Sequence, residues 1–313
     1  EGYKHLATTG KLTVRVSGHT HKPLVLPAEA RKALENYKKE YLGSRITSLN
    51  WTGDLSGCNA GTLPASVLDK VLLRINYFRK MTGLGPVRFT AERNRLAQHA
   101  ALIMLANKRL SHYPDTSWRC YSEEGKRGAG ASNLGLTSLE RIITEFIEDP
   151  GAGNAACGHR RWVLYSAASE FGFGAAMDTS HYSFAAEALY VTGSRNSGAA
   201  KPEYIAWPPK GYVPDTLVFP RGSFSLPGTA RSVNLSKARV RMQGSDGSTI
   251  PVSLNPLHTV GDPGITWEIL PANQDLAAFR LKWRNKPVKV TVDGILVDGA
   301  AKSWEYTFIM LAP

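Results

Sequence analysis

The chain has 313 residues, with 38 Lys and Arg against 26 Asp and Glu and a formal net charge of +12. A hydrophobic share of 42% supports folded cores and excludes global disorder. No apolar run approaches the roughly 20 residues of a membrane-spanning helix. The length favours two domains. The positive charge implies attraction to anionic surfaces such as cell-wall polymers or lipid headgroups. The basic residues are spread along the chain without a nucleic-acid-binding motif, so a specific nucleic-acid partner is not expected. The chain opens on Glu1 rather than Met. Removal of a secretory signal peptide leaves that pattern, and so does trimming.

Residues 1–64 read as an N-terminal extension. Within it, residues 11–16 suit a strand, residues 27–41 a short charged helix, and the stretch holding Gly53, Gly57 and Gly61 a loop. Val67, Leu68, Val71, Leu72 and Ile75 recur at helical spacing, and the helix they define should stop near Gly83. Thr90 is a plausible N-cap for a second helix with Leu96, Ala100, Ile103 and Met104 on its inner face. His99 lies near that face and reads as a satisfied core histidine. Thr137 and Glu140 have the spacing of a capping box, which predicts a helix burying Leu139, Ile142, Ile143 and Phe146 and ending at Pro150-Gly151. Residues 171–176 and 182–192 read as strands, so that residues 65–195 form an α+β domain. After a Gly-containing linker, residues 203–313 read as short strands separated by Gly, Pro, Asp and Asn. Segments 238–242, 249–254, 279–283, 288–292 and 304–310 suggest an all-β, immunoglobulin-like sandwich of roughly seven strands.

Three cysteines occur, Cys58, Cys120 and Cys157, and none forms a C-x-x-C pair. In an oxidising compartment one disulfide and one free thiol are expected. Cys58–Cys120 is the preferred pair because both lie in loop-like sequence, with Cys120–Cys157 as the alternative. Cys157, next to Gly158-His159, is a weak candidate nucleophile, since adjacency in sequence does not set attack geometry.

The stretch from Leu68 to Gly193 resembles a CAP domain, the superfamily of cysteine-rich secretory proteins, antigen 5 and pathogenesis-related 1 proteins. Five pieces agree in order: Asn76 to Arg79 with Gly83-Leu84-Gly85-Pro86; Leu96 to Ala101; Leu110-Ser111-His112; Gly158-His159-Arg160-Arg161-Trp162-Val163-Leu164; and Phe171-Gly172-Phe173-Gly174. Ala206-Trp207-Pro208-Pro209 resembles a junction in bacterial proteins that add a β-sandwich after this domain. The resemblance implies an α-β-α sandwich followed by that β-sandwich, in a secreted, extracellular or periplasmic protein of bacterial type. It also implies a cleft lined by His112 and His159.

Clefts of this superfamily often pair two His with two Glu around a divalent metal. Here the first Glu is replaced by Ser132, and the second falls near Glu148-Asp149, with Asp149 in the better register. Two imidazoles suit zinc, copper or nickel, but a structural zinc takes four ligands, so any metal on His112 and His159 would be weakly held. Both histidines could instead serve hydrogen bonds within the fold. A hydrolase reading would use His112, His159, Ser132, Glu148 or Asp149, although no G-x-S-x-G elbow surrounds Ser132. Arg160 and Arg161 suggest one ion pair to Asp149 or Glu148 and one solvent-facing charge. Three functions stand. The first is an extracellular binding module for a metal, lipid, glycan, peptide or anionic cell-surface polymer. The second is a secreted peptidase-like hydrolase, and the third is an envelope or matrix component with a vestigial cleft.

Overall fold

A computed structural model describes residues 15–16, 19–20, 26–178, 184–193, 201–228, 232–269 and 275–313. The central sheet has the order β3 (Arg88–Phe89), β5 (Glu170–Ala176), β6 (Ala185–Tyr190), β4 (Ser132–Thr137). β3 and β5 run parallel, and the other pairs are antiparallel. Strand side chains alternate between faces, and here the two faces feed two layers of helices. Leu134, Ala176, Ala186 and Ala188 pack with Ala97, Ala100, Ala101 and Met104 of α3 (Ala91–Asn107). Beside α3 lies α4 (Glu123–Gly130). Phe171, Phe173, Ala175 and Leu189 face the opposite layer. That layer holds α2 (Ala65–Met81), α5 (Thr144–Glu148) and α6 (Gly158–Val163).

The Phe171-Gly172-Phe173-Gly174 segment shows why the sandwich closes. Its two rings are buried in the α2–α5–α6 layer, while its glycines meet α3. A Cβ on Gly172 would lie 2.3 Å from Arg93 C, and one on Gly174 would lie 2.2 Å from Gln98 N. The absence of side chains therefore lets the α3 backbone rest on the sheet. Thr90 caps α3, its hydroxyl accepting from Arg93 N at 3.4 Å.

The N-terminal region contributes β1 (Arg15–Val16), β2 (His19–Thr20) and α1 (Ala28–Asn36), which continues as a π-helical stretch Tyr37–Leu42. Most of the expected 11–16 strand lies outside the described residues. Tyr37, Ile46, Leu49 and Leu63 enter the main core, and a Cys58–Cys120 disulfide ties the following loop to the segment before α4. The alternative pairing is excluded, because Cys157 is free and buried.

The C-terminal region contains β7 (Ile205–Trp207), β8 (Gly211–Pro214), β9 (Arg221–Ser225), β10 (Val233–Asn234) and β11 (Arg239–Gly244). It continues with β12 (Thr249–Ile250), β13 (Val252–Leu254), β14 (Gly264–Ile269), α7 (Leu276–Trp283), β15 (Pro287–Val297) and β16 (Ala300–Leu311). A sheet β12-β11-β15-β16-β8, with β10 beside β15, and a sheet β13-β14-β9-β7 make the β-sandwich. Val240, Met242, Val288 and Val290 of the first share a core with Phe224, Ile265 and Trp267 of the second.

Two sequence expectations are corrected. Residues 279–283, expected as a strand, belong to helix α7. Asp275 caps it by accepting from Ala277 N at 2.8 Å, and Phe279 and Trp283 recur at helical spacing to reach the core. The capping-box helix starting at Thr137 also does not form. Thr137 ends β4, a 3-10 turn covers Leu139–Arg141, and Ile143 takes a positive φ of 67° before α5 begins. Tertiary hydrogen bonds compete for the groups that helix would need. Arg74 donates to the carbonyls of Glu140 and Ile142 at 2.9 and 3.1 Å, and Ile143 N donates to the buried Glu187 Oε2 at 3.2 Å.

Candidate functional site

The sheet ends on β4, and the cleft opens along that edge. Its volume is about 380 Å³. One wall is the segment after α3, with Leu110, Ser111 and His112. The other is formed by Glu145, Phe146, Asp149, Pro150 and His159, and Leu134, Gly135 and Leu136 of β4 lie between them. His112 and His159, distant in sequence, thus line one space because the two helical layers meet the sheet from opposite faces.

Each imidazole is fixed through the same ring atom. His112 Nδ1 lies 2.9 Å from the carbonyl of Ala129, and His159 Nδ1 lies 2.7 Å from Asp149 Oδ1. A carbonyl can only accept, so the His112 Nδ1 carries the hydrogen and its Nε2 remains for other partners. Asp149 is buried and also accepts from the backbone N of His159 at 2.9 Å. Phe146 packs against the His159 ring at 5.4 Å between centroids. Asn133, across the sheet edge, donates from Nδ2 to the His159 carbonyl at 3.0 Å. Asp149, Phe146 and Asn133 together hold His159 in place.

The remaining sequence candidates fall elsewhere. Ser132 is buried outside the cleft lining, and its hydroxyl donates to Gly128 O at 2.6 Å. It has no contact with either histidine that would make a nucleophile of it. Glu148 turns to Arg141 at 2.5 Å and is likewise outside the lining. Burial pushes the Cys157 thiol up, against thiolate chemistry. His99 is half-buried beside Ser122 Oγ at 3.3 Å, and burial pulls its pKa down, in keeping with a core histidine.

Glu145 is the cleft carboxylate that sequence reasoning missed. A continuous helix with Leu139, Ile142 and Phe146 inward would have turned Glu145 to solvent. The break at Ile143 resets the helical phase and brings Glu145 into the cleft wall, where Arg141 Nε donates to it at 2.7 Å. The i, i+4 spacing of Arg141 and Glu145 signals their ion pair but not a place in the cleft. Among the described residues no group of three or more His, Cys, Asp or Glu is placed to hold a metal ion.

The arginines after His159 also depart from expectation: neither faces solvent. Arg160 is fully buried and donates to Ile147 O at 2.5 Å, Glu148 O at 3.2 Å, Arg221 O at 2.9 Å and Ser223 Oγ at 3.3 Å. Arg161 donates to His258 O at 3.1 Å and Asp262 O at 3.0 Å. Both join the helix that carries His159 to the C-terminal strands and loops. Carbonyls, rather than the carboxylates of Asp149 or Glu148, receive them.

An α-β-α sandwich whose open sheet edge is flanked by two fixed histidines defines a cleft-bearing domain of a recurrent kind. Residues 72–193 match the CAP family model, described as the cysteine-rich secretory protein family, and this stretch of the chain is a CAP domain. A crystal structure of MpPR-1i soaked with selenourea aligns over 44% of this chain and 98% of that one, at 14% identity and a TM-score of 0.31. No curated protein matches the chain.

Proposed function

We propose that this protein is an extracellular binding module that captures a ligand in its CAP cleft. One observation carries the reading. Two histidines reach the cleft from opposite walls, each held through Nδ1 by a protein acceptor, so that each Nε2 is left for a ligand. The Cys58–Cys120 disulfide supports an oxidising, secreted setting. No described helix is long and apolar enough to cross a membrane. The buried, engaged Ser132 argues against a serine hydrolase.

A divalent metal is a second reading, favoured by the same hydrogen bonds. Metal-binding histidines commonly give their second N–H to a carbonyl or carboxylate, as His112 and His159 do. The fit is partial. Two imidazoles supply half of a tetrahedral shell, and Glu145 is engaged by Arg141. These residues would hold zinc weakly and exchangeably, and when bound the ion would polarise a ligand oxygen.

The test is NMR titration of the intact chain with zinc, a mixed hexapeptide library and phosphatidylglycerol vesicles in turn. Wild type is compared with the His112→Ala, His159→Ala double variant. At least one probe should shift the cleft resonances of wild type and lose affinity about tenfold in the variant. If no probe perturbs the cleft, or the variant binds as well as wild type, the reading is overturned. Cleavage of the peptides by wild type alone would replace it with the hydrolase reading.

A further inference from the structure

We propose that the cleft takes an extended peptide, which pairs with the free edge of β4 as an added strand of the central sheet. The proposal rests on the reading of the cleft as a binding site and names the class of ligand.

β4 ends the sheet, with β6 as its strand partner. Antiparallel ladders alternate between residues that bond to the neighbouring strand and residues that turn their N–H and C=O away from it. The phase follows from the bond of Val191 N to Ala131 O at 2.9 Å and the register Ser132↔Tyr190 to Thr137↔Ala185. Asn133, Gly135 and Thr137 turn toward β6, whereas Ser132, Leu134 and Leu136 turn toward the open edge. Leu134 and Leu136 are the two of these that line the cleft. Among the described residues no protein group bonds to their edge-facing N–H and C=O groups.

This edge is unusual in two respects. Buried backbone polar groups are almost always paired, yet Leu134 is only 4% exposed. Exposed edges are normally blunted by Lys, Pro or a bulge, yet the segment Ser-Asn-Leu-Gly-Leu-Thr has none of these and its register is unbroken. The edge is recessed instead. The walls bearing His112 and His159 leave room between them for a narrow ligand, and about 380 Å³ is within the range of small-ligand sites. Leu134 and Leu136 repeat donor and acceptor at about 7 Å, the two-residue repeat of an extended chain. A peptide main chain matches that alternation and a lipid tail does not. Strand addition is an established way to bind peptides, with main-chain bonds giving affinity and alternate side chains giving selectivity. Here alternate side chains would meet Leu110 on one wall, and Phe146 and Glu145 on the other.

The test is amide hydrogen exchange on the intact chain, with a mixed library of unmodified hexapeptides and the same library N-methylated at every residue, which leaves neither edge of the peptide an N–H to donate. In the free protein the amides of Leu134 and Leu136 should exchange faster than those of Asn133 and Gly135. The unmodified library should slow them at least tenfold, and the methylated one should not. Leu136→Pro removes an edge-facing N–H without costing a bond to β6, and should weaken peptide binding at least tenfold. If that variant does not fold, the two libraries decide the matter in wild type. Peptides that bind without slowing Leu134 and Leu136, or that bind equally when methylated, overturn strand addition. If His112 and His159 still govern zinc or lipid binding, the cleft reading survives that result. If no probe binds, both readings fall.

Discussion

Replacing Glu187 by Gln should make the protein more resistant to unfolding at alkaline pH, because Glu187 is a carboxyl group sealed behind the cleft with half of its hydrogen-bonding capacity unused. Oε2 accepts from Ile143 N at 3.2 Å, while Oε1 has no partner among the described residues and the residue is 0% exposed. Burial pushes its pKa up from 4.5 to about 8. The Ile143 N–H opposes the rise, the charge of Glu145 adds to it, and Arg74 and Arg141 oppose it. The folded state therefore holds this proton more tightly than the unfolded chain. Below pH 4.5 both states are protonated and the titration of the group takes nothing from stability. As pH rises from 4.5 to about 8, the unfolded chain gives up the proton first, and stability is lost across that window. At about 1.4 kcal/mol per pH unit, the loss sums to on the order of 5 kcal/mol. Gln has nearly the same shape, offers Ile143 the same acceptor and does not titrate. Urea unfolding of wild type and Glu187→Gln at pH 5 and pH 8.5 isolates the effect, since other titrating groups cancel in the difference. The variant should gain several kcal/mol relative to wild type between the two pH values. A difference that does not change with pH would show that the carboxylate is ionised and adequately solvated in the fold, and would refute the reasoning.

Asp149→Asn should lower zinc affinity about 10–100-fold by releasing the His159 ring, measured by calorimetry on chelator-treated protein. Gly174→Ala should destabilise by several kcal/mol, because its methyl would lie 2.2 Å from Gln98 N; chemical unfolding would show it. Reducing Cys58–Cys120, which closes a span of 62 residues, should cost about 2–5 kcal/mol and lower the melting temperature in thermal scans with and without reductant. Arg160→Ala should cost at least about 3 kcal/mol, since it removes the donor from the buried Ile147 carbonyl, from two half-buried carbonyls and from the Ser223 hydroxyl at the junction with β9. An unchanged denaturation midpoint would contradict that role.

Local chemistry was enough to place much of this protein. The helical spacing of Val67, Val71 and Ile75, the Thr90 cap, the alternation of Phe171 with Gly172, and the loop setting of Cys58 and Cys120 are short-range signals. Each produced the element or bond expected. The pair His112 and His159 was legible through resemblance, because ordered motifs carry a fold with them. What failed were decisions taken at long range. Arg74 and Glu187, remote in sequence from Ile143, take the backbone groups that a helix from Thr137 would have needed. That contest breaks the helix, resets its phase and brings Glu145 rather than Glu148 to the cleft. In sequence Arg160 and Arg161 suggest one ion pair and one solvent-facing charge, and they become buried connectors because carbonyls of α5 and of the C-terminal strands and loops converge on them. Composition and periodicity determined which segments could fold and what chemistry they brought. Tertiary structure decided which donors met which acceptors, because a buried polar group takes whatever partner the assembled fold supplies.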